Sequence, residues 1–267
     1  MAGAFYEKDP VQLRRQVNDL LDRAEHPALN GSVRGLIAPH AGYMYSGLAS
    51  ATAYRAVKGE SYETVVLVGP SHRDLFEGIS IFPGSAYRTP LGDVQIDEDL
   101  RATLCASYGR IAASEWGHRA EHCLEVQLPF LQQVLGSFRI VPVIIGNQTM
   151  EHCFNLGEAL AASVKGKRVL LIASSDLSHY HSYDEATKLD NELMELVLRM
   201  DDRRLMERLE SESVEACGGG PIVSVMHAAK VLGANQSQIL TYYNSGDITG
   251  DRSAVVGYLS AALLQVH

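Results

Sequence analysis

Nothing in the cysteine pattern points to a disulfide framework or a structural zinc knuckle. The chain has four cysteines, at 105, 123, 153 and 217, with no CxxC pair and no regular spacing. Such usage suits a reducing compartment, so a cytoplasmic location is expected. Long apolar runs are also missing. The densest, Arg139 to Gly146 and Val169 to Ala173, are strand-length and far below the ~18 residues a membrane span requires. The N-terminal MAGAFYEKDP carries acidic and basic groups in place of an apolar signal region, so no membrane association is expected. Basic runs never exceed two residues, and 23 Lys+Arg against 32 Asp+Glu leave a net charge of −9. A phosphate-backbone binder needs a basic stripe, so nucleic acid is not expected as a partner. The GxSxG, GxxxxGKS/T and GxGxxG signatures are absent, which sets aside serine hydrolases, Walker-type nucleotide sites and dinucleotide folds.

What remains is a 267-residue chain, 46% apolar, with ten histidines and an excess of Tyr (twelve) over Phe (six) and Trp (one). A chain of this length buries roughly three quarters of its unfolded surface and needs no covalent staple. Asp9-Pro10 predicts a helix start, with Leu13, Val17, Leu20, Leu21 and Ala24 on one face. Strands are predicted at Val33 to Ala38, Thr64 to Val68, Ile79 to Phe82, Phe138 to Ile145, Arg168 to Ala173, Ile239 to Tyr243 and Ala254 to Leu259. Helices are predicted near 46–57, 97–107, 124–135, 150–164, 183–199, 201–209 and 221–232, with Pro129 at the start of its helix or at a kink. Thr89 to Asp93 is turn chemistry. Apolar strands alternating with helices imply a single α/β domain over residues 1–267, its mainly parallel or mixed sheet covered by helices on both faces.

The polar residues fall into a pattern on that scaffold. His40, His72, Asn147 and Asp176 with His179 each lie just beyond the end of a predicted strand, the edge where open α/β sheets bind ligands. Pro39-His40-Ala41-Gly42 and Pro70-Ser71-His72 repeat one strand–Pro–His arrangement, and two imidazoles suit a first-row metal. Cys217 sits in Glu215-Ala-Cys-Gly-Gly-Gly-Pro221, at a helix start expected to depress its pKa and favour thiolate. Two His and one Cys would leave an open position on Fe(II), Cu or Zn. Asp176 and His179, three apart after a strand, can face one cavity, with His179 as acid or base and Asp176 orienting substrate or the imidazole. His122 and Glu125 are expected to line or orient that site, and Tyr43 and Tyr45 to line the pocket. His118 to His122 is a literal HxxEH match to inverted zinc peptidases, which demands a regular helix. The turn at Asn244 to Asp247 could face substrate or be an ordinary turn.

The stretches AGAFYEKDP, LIAPHAGYMYSGLASATAY, VLVGPSH, TPLGDVQID, EHCLEVQLPFLQ, IVPVIIGNQ, SSDLSHY, ACGGGPI and YYNSGDITGDRSAVVGYLSAAL resemble the MEMO-like family, whose prokaryotic members are also called AmmeMemoRadiSam system protein B. They run from residue 2 to about 264. The resemblance implies a fold like that of class III (LigB-type) extradiol dioxygenases, non-haem Fe(II) enzymes that open catechol rings with two His and a carboxylate. Here a cysteine would replace the carboxylate. The resemblance places metal ligands on His40, His72 and Cys217, further catalytic residues on His179 and Asp176, and leaves His122 and Tyr43 as substrate-binding candidates. Fe(II) is expected first, with Cu or Zn as alternatives, in an oxidoreductase acting on a small molecule. The alternative is a non-enzymatic module that keeps the pocket to bind a peptide or protein. Implied partners are an AMMECR1-like protein and a radical SAM enzyme. Cys123 stands where relatives more often carry Ser, and is not expected to be a ligand.

Overall fold

The computed structural model describes residues 1–26 and 28–266. Asp9 opens α1 (Pro10–Arg23): its carboxylate accepts the N–H groups of Val11 and Gln12, and Pro10 takes a first-turn place where no N–H is needed. Then follow β1 (Ser32–Ala38), α2 (Tyr43–Arg55), β2 (Thr64–Pro70) and the short β3 (Ile79–Ile81). A hairpin of β4 (Ala86–Thr89) and β5 (Gly92–Gln95) turns at Pro90-Leu91, and leads to α3 (Glu98–Ser107) and β6 (Ile111–Ala113). A 3-10 turn at Glu125–Gln127 runs into α4 (Leu128–Val134), with Pro129 in its first turn. The second half comprises β7 (Arg139–Ile145), α5 (Met150–Val164), β8 (Val169–Ser174), β9 (His179–His181), α6 (Tyr183–Leu198) and α7 (Asp202–Glu210). It closes with α8 (Gly219–Val231), β10 (Gln236–Asn244), α9 (Ser245–Thr249) and β11 (Val255–Gln265).

The sheet order is β10-β11-β1-β8-β2-β7-β3-β6, with β9 attached to β11. The four central strands β1, β8, β2 and β7 are mutually parallel. Both flanks are mixed: β11 runs antiparallel to β1, β10 and β9, and β3 antiparallel to β7. β3 also pairs in parallel with β6 at the far edge, and β10 and β11 are antiparallel because one short helical turn rather than a crossover joins them.

Alternate residues of the central strands feed two cores. Ile37, Val66, Val68, Val141, Val143, Leu171 and Ala173 pack under α3, α5, α6, α7 and α8. Leu36, Ala38, Val65, Leu67, Ile140, Leu170 and Ile172 pack under α1, α2 and α4. That period of two, apolar on both faces, is what a sheet covered on both sides demands. The α5 boundaries coincide residue for residue with the sequence expectation.

Five short elements were not expected: β4, β5, β6, β9 and α9. Each is five residues or fewer and is held by its neighbour in the sheet or by a cap. Asn244 caps α9 reciprocally with Asp247, so the expected Asn244–Asp247 turn is the start of a helix. β11 extends well past the expected Leu259, because β10 and β1 flank its small residues Ser260 to Ala262 on both sides. Among the described residues no helix is long and apolar enough to cross a membrane.

Candidate metal centre

Because β1, β8, β2 and β7 are adjacent and parallel, their C-terminal ends share one edge of the sheet. His40, Asp176, His72 and Asn147 follow those ends. Two glycines let further segments close on the same edge. A side chain at Gly69 would meet Cys123 Sγ at 2.5 Å, so glycine there allows residues 121–124 to lie against β2. At Gly218 a Cβ would sit 2.4 Å from the Ser174 carbonyl, so glycine there lets Cys217 reach the end of β8.

His40 is 1% exposed and fixed from two sides. Its backbone N–H donates to Asp176 Oδ1 at 2.8 Å, and its Nδ1 lies 2.9 Å from Ser174 Oγ. Ser174 gives its only proton to the Cys123 carbonyl (2.7 Å) and accepts from Gln127 Nε2 (2.8 Å). Nδ1 of His40 must therefore carry the hydrogen, and Nε2 keeps a free lone pair. Burial, reinforced by His72, lowers the His40 pKa to about 3, so the imidazole is neutral at pH 7.

His72 is oriented by a carboxylate. Its Nδ1 lies 2.9 Å from Glu121 Oε1, and its backbone N–H donates to Oε2 at 2.8 Å. Glu121 also accepts the N–H groups of His122 and Cys123. Burial works to raise the Glu121 carboxyl, but these hydrogen bonds outweigh it and hold it at about 2. The ionised partner keeps the proton on His72 Nδ1 and again leaves Nε2 bare. The preceding Ala120 takes a positive φ of 55°, a backbone conformation uncommon outside glycine, where the chain turns to aim Glu121 inward.

His122 completes the imidazole group. Its ring stacks on Phe5 (4.5 Å) and His72 (4.8 Å) and meets His40 edge-on at 5.3 Å. One ring nitrogen from each of His40, His72 and His122 lies within 4.8 Å of the others. Burial, with His40 beside it, lowers the His122 pKa to about 4. Its buried Nδ1 lies 3.2 Å from Glu121 Oε1 but outside hydrogen-bond geometry, and so has no hydrogen-bond partner.

Cys217 Sγ reaches the cluster from the other side, 3.1 Å from His40 Nε2. Since that nitrogen is bare, the thiol donates to it. Burial pushes the Cys217 thiol up, and the nearby Asp176 pushes the same way, against the thiolate expected from the helix start. Asp176 is itself buried and raised for the same reason. The three imidazole nitrogens form a donor set that fits a first-row transition metal, and the Cys217 thiol touches it at His40.

A cavity of about 460 Å³ opens beside Cys217, lined by His179, Gln148, Met206, Leu209 and Glu215 among others. His179 Nδ1 lies 2.7 Å from the Leu177 carbonyl, which fixes its proton there and leaves Nε2 as the acceptor. Tyr180, next to it, has φ 64°.

The other candidates lie elsewhere. Tyr43 is buried, with its hydroxyl on the Val126 carbonyl at 2.6 Å and its ring against Phe130. Glu125 accepts from the Tyr6 hydroxyl and pairs with the N-terminal amine. Asn147 tethers the loop at Glu77 and Gly78. The HxxEH match fails its structural condition: residues 115–124 form turns, not a helix, and His118 is engaged by Tyr87. Glu121 instead serves His72. Ser174 and Gln127 were missed. Their only sequence signal is a polar residue at a fully buried position, which is invisible without the fold.

The model for the family described as Memo-like protein matches residues 1–262. A MEMO1 family protein of Methanothermobacter thermautotrophicus is 39% identical over 267 residues, covering 97% of this chain and 96% of the relative. One from Sulfolobus acidocaldarius is also 39% identical, over 274 residues, with the same coverage of each. Among solved structures, the uncharacterized protein JW3007 from Escherichia coli K12 aligns with a TM-score of 0.62 at 16% identity. It covers 87% of this chain and 100% of its own, and the likeness is one of fold.

Proposed function

The chain belongs to the Memo-like family, and on that premise we propose that it is a metal-dependent oxidoreductase acting on a small molecule. His40, His72 and Cys217 are the proposed ligands, with His122 facing the same point. Fe(II) is the first candidate and copper or zinc the alternatives. The observation that carries this reading is the proton placement: Ser174 and Glu121 each hold a ring proton outward, so that His40 and His72 turn bare Nε2 atoms inward. Outer hydrogen bonds of this kind orient imidazole ligands and raise their basicity.

Bound Fe(II) or copper would supply one-electron chemistry; zinc would supply Lewis-acid chemistry alone. The chain's own residues do the rest. To hold a metal, Cys217 would have to give up the thiol proton it shares with His40 Nε2, so binding would be coupled to proton release. Asp176 holds the His40 backbone in place through its N–H. His179 Nε2, in the wall of the cavity beside Cys217, accepts or returns a proton on bound substrate. Elemental analysis of anaerobically purified protein tests the proposal. Near-stoichiometric metal in the wild type and loss in the His40→Ala/Cys217→Ala double variant are expected; equally negligible metal in both would overturn it.

A second reading, a peptide- or protein-binding module, draws on the exposed Leu75 (99%) and Trp116 (62%) in loops and Tyr180 (77%) on the short β9, each within a few residues of a site histidine. An AMMECR1-like protein or a radical SAM enzyme would be such a partner. Undiminished partner binding after metal removal, with no turnover on small aromatics, would favour it.

A further inference from the structure

At the opposite end of the central strands, about 20 Å from the histidines at 3.3 Å per residue, lies a second cavity. Its volume is about 490 Å³, within the range of small-molecule sites. It sits where β1 and β8 begin and where the chain between α2 and β2 crosses the sheet edge. Arg34, Arg55, Lys58, Lys167 and Arg168 line it, against one carboxylate, Glu60. In a chain of net charge −9 this is a marked local reversal of sign.

The cations are poorly neutralised. Arg168 is paired with Glu63 at 3.4 Å, but among the described residues no carboxylate pairs with Arg34, Arg55, Lys58 or Lys167. Arg34 donates to the neutral Gln265 side chain, and Arg55 Nη1 donates to the Leu21 carbonyl. Arg55 Nε is buried with no hydrogen-bond partner at all. Four cations that no carboxylate pairs with among the described residues, gathered around one concave surface, favour an anion there.

We propose that this cavity is an anion site that takes a small phosphorylated ligand, with paired phosphate groups bridging the two arginines and the two lysines. Concavity and size favour a small molecule over a nucleic-acid backbone, which the surrounding negative charge would repel.

The test uses pyrophosphate as the probe and calorimetry as the readout, at low salt and without divalent cations. The titrated protein is the His40→Ala/Cys217→Ala variant, so that the histidine cluster is not the binding site measured. One-to-one binding is expected, weakened at least about tenfold by the added Lys58→Glu/Lys167→Glu pair. Those lysines are exposed, so reversal leaves the melting temperature near its starting value, and that temperature is recorded alongside. Inorganic phosphate should bind more weakly than pyrophosphate, and a tricarboxylate weaker still. Absence of pyrophosphate binding at millimolar concentration, or undiminished binding after the lysine reversal, overturns the proposal.

Discussion

Ser174 Oγ and His40 Nδ1 lie 2.9 Å apart, and the serine's proton is already committed to the Cys123 carbonyl. One buried hydroxyl therefore decides which nitrogen of the deepest histidine faces the cluster. Ser174→Ala removes that control. Metal affinity should fall about 10–100-fold, with a stability loss of about 1–3 kcal/mol from the stranded His40 Nδ1–H. Competition against a chelator of known affinity measures the first effect, and denaturant unfolding the second. An unchanged metal affinity would show that the serine does not set the tautomer.

Glu121 plays the corresponding part for His72. Glu121→Gln keeps the size but offers one acceptor oxygen and an NH2 group, so it cannot serve both the His72 ring and the backbone N–H groups at Glu121's two oxygens. A drop in metal affinity of about 10–100-fold is expected, larger than for Glu215→Gln, whose half-buried carboxylate pairs with His181. Equal behaviour of the two variants would remove Glu121 from the account.

Acid should destabilise the metal-free protein earlier than its carboxylates alone require. His40, His118 and His122 are lowered by burial to about 3, about 4 and about 4. Between those values and the ordinary 6.5, the unfolded chain binds protons that the folded chain refuses, so stability rises with pH across that window. Each histidine contributes a slope of up to about 1.4 kcal/mol per pH unit there. The melting temperature should fall from pH 7 to pH 5, and His118→Gln, outside the cluster, should flatten the slope. A flat profile in both proteins would contradict the burial argument.

The two thiols nearest the site should separate cleanly. Cys123 is fully buried, with Sγ on the Pro70 carbonyl at 3.4 Å, and burial holds its thiol far up. Cys123→Ser should retain metal stoichiometry, whereas Cys217→Ser should lose affinity by at least tenfold on the general scale of ligand-shell changes. Native-state alkylation should spare Cys123 with or without metal, and the raised Cys217 thiol should react far more slowly than an ordinary exposed cysteine.

Most of the scaffold was legible because its elements are long and strongly patterned. The helix at Met150–Val164 and the buried β2 and β7 strands follow directly from apolar period and boundary residues. The short β4, β5, β6, β9 and α9 were not, since three to five residues carry too little pattern and depend on what they pack against. At the site, His40 and His72 announced themselves by their strand–Pro–His placement. His122 was seen as a lining residue, yet its nitrogen converges with theirs, because the turn at Ala120 has no sequence signature in an alanine. The Cys217 thiol showed the limit of local reasoning: the helix start suggested a thiolate, and burial beside Asp176 pushes the other way.

The central claim is that His40, His72 and Cys217 hold one transition-metal ion. Crystals of anaerobically purified protein, measured at the iron and copper absorption edges, test ligands and metal together. A single anomalous peak bonded to His40 Nε2, His72 Nε2 and Cys217 Sγ is the predicted result. A peak bonded elsewhere, or none at either edge from metal-replete protein, would contradict it.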